Sequence, residues 1–89
     1  MLRIHRETIR ETIALRLEGK LLEAWLPELD RALATADSPA DPRHITLDLA
    51  GLDFADRAGA HFLARLRRQG AQLTNASAFV SGLLTLHDR

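Results

Sequence analysis

Apolar residues recur along this chain with two periods, and the order in which the periods follow one another lays out an α/β domain. Ile13, Leu15 and Leu17 alternate with Ala14, Arg16 and Glu18, and Ile45, Leu47 and Leu49 alternate with Thr46, Asp48 and Ala50. A period of two belongs to a strand with one face against a core. Leu22, Leu26, Leu29 and Leu33 instead recur at helical spacing, with Trp25 and Ala32 at the margin of the stripe. Trp25 reads either as core packing at the edge of that helix or as an interface anchor.

Local signals supply the boundaries. Leu2 to His5 predict a short first strand, followed by a polar turn near Glu7 to Arg10 and a second strand ended by Gly19. Pro27 is tolerated only in the first turn of a helix, where its missing N–H has no intrahelical acceptor, so the first helix should begin close to Glu23 or Ala24. Ala36 to Pro42 holds two prolines and reads as a loop within the domain. Arg43 to Ala50 predict the third strand, and a short loop leads to a helix over Arg57 to Gln69. Asp56 is its N-cap and Gly70 its stop. Ala71 to Asn75 read as a fourth strand, and Ser77 as the cap of a last helix carrying Phe79, Val80, Leu83 and Leu84.

Strands alternating with helices imply parallel pairing with right-handed crossovers. Strands that alternate polar and apolar residues imply helices on one side, because doubly covered strands are apolar throughout. The fold class is therefore α/β, a roughly four-stranded mixed sheet with helices packed mainly on one face.

Composition narrows the function. The 89 residues make a single domain spanning 1–89, and 46% hydrophobic with 27% charged residues describe an ordinary globular protein. The formal net charge is zero, which offers no long-range attraction for nucleic acid or anionic membranes. Cysteine is absent, so disulfide and thiolate chemistry are excluded. No apolar run approaches the roughly 20 residues that span a bilayer. The amino terminus lacks the apolar centre of a signal peptide, so a cytoplasmic location and no membrane insertion are expected.

Candidate chemistry gathers after the third strand. Asp48, Asp53 and Asp56 lie toward its carboxyl end, where open α/β sheets hold ligands. They could serve as paired carboxylates or hold Mg²⁺, but no basic or nucleophilic partner stands at useful spacing. Their other reading is a solvent-facing strand residue, a turn former and a helix cap. A phosphoryl-accepting aspartate would need acidic companions near the first strand, and Leu2 to His5 supply none. His5, His44, His61 and His87 form no i, i+4 pair, so no metal site is expected. There is no Gly-rich phosphate loop, and no cofactor is implied. Arg57, His61 and Arg65 form one row on the last but one helix, with Arg68 close behind. That row is either a solvated face or a partner-docking face. Arg65, Arg67 and Arg68 have no interleaved aromatic for base stacking, which argues against nucleic acid.

The segment LDLAGLDFADRAGAHFLARLRRQGAQL resembles the signature of the STAS domain family, the anti-sigma-factor antagonists and their relatives, in which an LDL strand runs into a D-S/T-x-G turn and a helix. TIALRLEGKLLEAWLPELDRALATA upstream and GAQLTNASAFVSGLL downstream extend the likeness over nearly the whole chain. The resemblance implies a non-catalytic module for signalling and transcription regulation in bacteria that binds another protein, an anti-sigma factor of serine-kinase type. The implied contact residues are Asp53, Asp56, Arg57, Ala58, Gly59, His61 and Arg65. In the family a phosphorylatable Ser or Thr follows the turn aspartate, and here Arg57 stands there. No phosphorylation is expected at that position, and contact should be constitutive or directed at an acidic patch. Small STAS proteins also act as accessory subunits of ABC transporters, which makes a transporter ATPase the alternative partner. A nucleotide or small-ligand module is the third reading. STAS domains commonly continue beyond the equivalent of Leu86-His87-Asp88-Arg89, so the short carboxyl end is expected to leave an edge for another chain, as in a homodimer.

Overall fold

The computed structural model describes residues 1–34 and 41–87. Four strands form one sheet in the order β1-β2-β3-β4: β1 is Leu2–Ile9, β2 Thr12–Leu21, β3 Ile45–Ala55 and β4 Gln72–Thr74. β1 pairs antiparallel with β2, and β2–β3 and β3–β4 are parallel, so the sheet is mixed as expected. Three helices complete the domain: α1 (Leu26–Ala32), α2 (Arg57–Arg68) and α3 (Ala78–Leu86), with short 3₁₀ turns at Glu23–Trp25 and Pro42–His44.

The core lies between the sheet and its helices. Leu15, Leu17 and Leu21 of β2 and Leu47, Leu49 and Leu52 of β3 meet Leu29 of α1 and its C-cap Leu33, and Phe62, Leu63 and Leu66 of α2. Ala60 and Ala64, one turn apart on α2, are wholly buried and let that helix approach the sheet closely. Val80 and Leu84 join α3 to the same core. Trp25 packs half-buried against it, the first of its two readings. On the opposite face Arg3, His5, Glu7 and Arg16 are exposed, and cross-strand registry sets His5 beside Arg16, and Arg16 beside Asp48. One face is apolar and covered, the other polar and open.

Several boundaries differ from the sequence reading. β1 does not turn at Glu7. It pairs residue for residue with β2 as far as Ile9↔Thr12, and the hairpin turns at Arg10, whose φ is +56°. As an edge strand it needs no alternation beyond Ile4, which is why the pattern faded there. Gly19 does not end β2. It adopts φ +100° where the pairing with β3 shifts register, and the strand continues to Leu21. A side chain at Gly19 would also collide with the carbonyl of Met1. Leu21 rather than Leu22 is therefore the buried residue at the strand's end. The first helix opens as the 3₁₀ turn at Glu23–Trp25, and Pro27 falls in the first turn of α1 as its missing N–H requires.

β3 is longer than expected. It starts at Ile45 rather than Arg43 and does not yield to a loop after Ala50, because Gly51 to Ala55 pair with Glu18 to Leu21. Only Asp56 separates β3 from α2. β4 is shorter than expected, Gln72–Thr74. The end of α2 follows expectation: Gly70 N–H donates to the Arg67 carbonyl and Ala71 N–H to that of Leu66, the Schellman arrangement. Ser77 caps α3 by accepting from Val80 N–H at 3.1 Å. The loop expected at Ala36 to Pro42 lies, up to residue 40, outside the described residues.

Leu66 is buried where α2 meets the sheet and α1. Leu66→Ala should cost about 2 to 5 kcal/mol, read as a lower urea midpoint at unchanged slope.

Candidate functional site

Two helix starts meet at one carboxylate. Ala55 ends β3 inside the core, and Asp56 then leaves the sheet with extended backbone, its N–H donating to the Leu21 carbonyl at 3.0 Å. Oδ1 of Asp56 accepts from Gly59 N–H at 2.8 Å, the N-cap bond predicted from sequence. Oδ2 accepts from Glu23 N–H, also at 2.8 Å. That second bond fastens the start of the first helical segment to the start of α2.

Gly59 explains how the two come so close. A Cβ there would come within 2.5 Å of the Leu21 carbonyl oxygen, which is backbone and cannot swing aside. The turn needs glycine because α2 starts directly on the end of β2.

Between the two helix starts lies an open cleft of about 750 Å³, lined by Glu23 and Leu26 on one side and by Asp56, Arg57, Ala58, His61, Phe62 and Arg65 on the other. Its floor is apolar: Leu26 and Ala58 are half-buried and Phe62 is buried. Its α2 rim carries two arginines, Arg57 and Arg65, with His61 between them, all three exposed. The Arg65 guanidinium lies over the Phe62 ring, 5.2 Å from its centroid. This contact tethers one rim cation to the floor.

The structure brings together five of the seven residues proposed for partner contact: Asp56, Arg57, Ala58, His61 and Arg65. Gly59 is buried beneath them and supports the turn from behind. Asp53 is exposed but lies within β3 and does not line the cleft. Glu23, Leu26 and Phe62 were not foreseen as lining residues. Leu26 and Phe62 belong to helical stripes that read equally well as core, and the spacing between the segments at 23 and 57 carries no sequence signal.

The aspartates do not converge into a carboxylate pair. Asp48 accepts from Ala50 N–H at 3.0 Å and from the Asn75 side-chain amide at 3.1 Å. Those two donors, with Arg16 nearby, hold its carboxyl below the usual carboxylate range. Asp48 and Asp56 share no hydrogen-bond partner, and both oxygens of Asp56 are occupied by backbone donors. That carboxylate braces two segments of the chain against each other. The histidines separate likewise: His5 pairs with Glu18 at 2.9 Å on the open sheet face, His44 lies in the turn before β3, and His61 reaches the cleft. Among the described residues no group of three histidines or acidic side chains could hold a metal ion, and no helix is long and apolar enough to cross a membrane.

A mixed four-stranded sheet backed by three helices, with a strand, an aspartate and a helix meeting at one corner, defines a STAS-type domain. The chain matches the family described as "Mlab, STAS domain" over residues 4–88, and it belongs to that family. A solved structure of the anti-sigma factor antagonist SpoIIAA in its unphosphorylated form is similar in fold, with a TM-score of 0.68 and 21% identity over 94% of this chain and 83% of that one. No curated protein matches the chain in sequence.

Asp56→Ala removes both acceptors at the corner and should destabilise the domain by about 1 to 3 kcal/mol. Arg57→Ser should change stability by less than about 0.5 kcal/mol, since Arg57 is exposed. Parallel denaturant titrations of the two variants and the unmodified chain check both.

Proposed function

We propose that this chain is a non-catalytic protein-binding module of the anti-sigma-factor-antagonist kind, that it docks its partner in the cleft beside Arg57, and that the docking is not switched by phosphorylation. The observation carrying this reading is the make-up of the cleft. An apolar floor offers area to bury and a charged rim offers selectivity, while Asp56 between the two helix starts accepts a backbone N–H from each and holds them in place. Where the family pattern has a phosphorylatable hydroxyl, Arg57 supplies a permanent positive charge. Among the described residues, none that lines the cleft is a serine or threonine.

That last observation also favours a second reading, in which the domain is a constitutive accessory subunit braced against the ATPase of an ABC transporter. A structural subunit needs a lasting contact and no switch, whereas an antagonist that releases its partner on demand needs one. In either case the working location is the cytoplasm, and a partner protein completes the function without a cofactor.

The test is affinity purification of the tagged chain from its native cell, with an Arg57→Glu, His61→Glu double variant as control. One protein should co-purify with the unmodified chain and be lost with the variant. Its identity, a soluble serine-kinase-like protein or a transporter ATPase, separates the two readings. Equal recovery with both baits would remove the cleft from consideration, and phosphate incorporated into the bound chain by that partner and ATP would contradict a switchless module.

A further inference from the structure

The cleft does not stop at its own rim. Past Phe62 and Arg65, which line both, a second hollow of about 420 Å³ continues between α1 and α2, with Asp30, Leu33 and Leu66 among its lining residues. Together they form a groove between the two helices, and its walls differ in charge. The α2 wall presents Arg57, His61 and Arg65, one per turn, over about 12 Å of helix. The opposite wall presents two exposed acids, Glu23 of the 3₁₀ turn and Asp30 of α1. Leu26, Phe62 and Leu33 run along the bottom.

We infer that this groove receives an amphipathic α-helix of the partner protein, with carboxylates every fourth residue along the flank that meets α2, an apolar ridge in the middle and basic residues on the flank that meets Glu23 and Asp30. This deepens the protein-binding reading above and rests on it. Charge complementarity selects the occupant: a uniformly acidic segment would be repelled by one wall, and a uniformly basic one by the other. The same two acids disfavour a nucleic acid, whose phosphates would face Glu23 and Asp30 directly.

The occupant's backbone follows from what the groove lacks. The long walls are α1 and α2, and Ile45, the strand residue among the described lining residues, belongs to β3, which is paired with β2 on one side and β4 on the other; the groove thus offers no free strand edge to an extended segment, whose backbone groups would lose water without gaining partners. A helix satisfies its own backbone and presents side chains at i and i+4, the same repeat as the row on α2. With Glu23 opposite the start of α2 and Asp30 further along, the segment needs carboxylates on one side and cations on the other over at least two turns.

A photoreactive benzophenone amino acid in place of His61, between Arg57 and Arg65 on α2, reports the occupant directly. The full chain carrying it is irradiated in its native cell, and the cross-linked peptide is sequenced by mass spectrometry. The expected peptide carries at least two Asp or Glu at i, i+4 with apolar residues between them. Arg57→Glu with Arg65→Glu in the chain should lower cross-linking by about tenfold or more. Changing the peptide's own carboxylates to Lys should restore most of it. Capture of a peptide without an acidic row, cross-linking to nucleic acid, or failure of the reciprocal change to restore yield would overturn the inference. Capture of a non-acidic protein segment would leave the protein-binding reading intact, while no protein captured at His61 would sink both.

Discussion

The carboxylate of Asp56 is the constraint on which the geometry of the cleft depends. One oxygen satisfies an orphan N–H at the start of α2 and the other satisfies the N–H of Glu23, 33 residues earlier in the chain. The two walls of the cleft are thereby fixed to a single side chain. A hydrogen bond to a charged group contributes about 1.5 to 3 kcal/mol, and here its effect extends beyond stability, because it sets the separation of Leu26 from Phe62 and of Glu23 from Arg57. The buried Gly59 and the Leu21 carbonyl complete the corner by leaving α2 no room to shift toward β2.

The arrangement divides labour along one short stretch. Asp56 and Gly59 face inward and hold the corner, while Arg57, His61 and Arg65 face outward and are free of structural duty apart from the Arg65 contact with Phe62. Exposed charges of this kind contribute little to folding, so the rim can differ from one chain to another without loss of the scaffold. Arg57 is such a rim position, exposed at the corner that Asp56 and Gly59 hold from within.

The parts of the fold legible in sequence were those where a local rule and the tertiary structure agree. Leu15, Leu17, Leu47 and Leu49 alternate because their strands have one covered face, and Asp56, Ser77 and Gly70 act at helix ends as their chemistry dictates. Where long-range pairing overrode the local pattern, sequence reading fell short. Gly51 to Ala55 carry turn-like residues, yet they pair with Glu18 to Leu21 and stay in the sheet. Gly19 resembles a terminator but accommodates a register shift. The candidate site was legible along α2, where spacing alone places Arg57, His61 and Arg65 on one face. Its other wall was not, because only the fold brings Glu23 and Leu26 against a helix that starts at residue 57, and no periodicity reports a bond from Asp56 to a distant backbone amide.

Amide hydrogen exchange on an Asp56→Ser variant measures that bond most directly. Serine retains an oxygen near enough to cap Gly59 but is too short to reach Glu23 as well. If one carboxylate sets both walls, the Gly59 amide keeps its protection while the Glu23 amide loses it, and the resonances of Leu26 and Phe62 shift together. Unchanged protection at Glu23 would contradict the claim and show that the two helix starts are held together by packing alone.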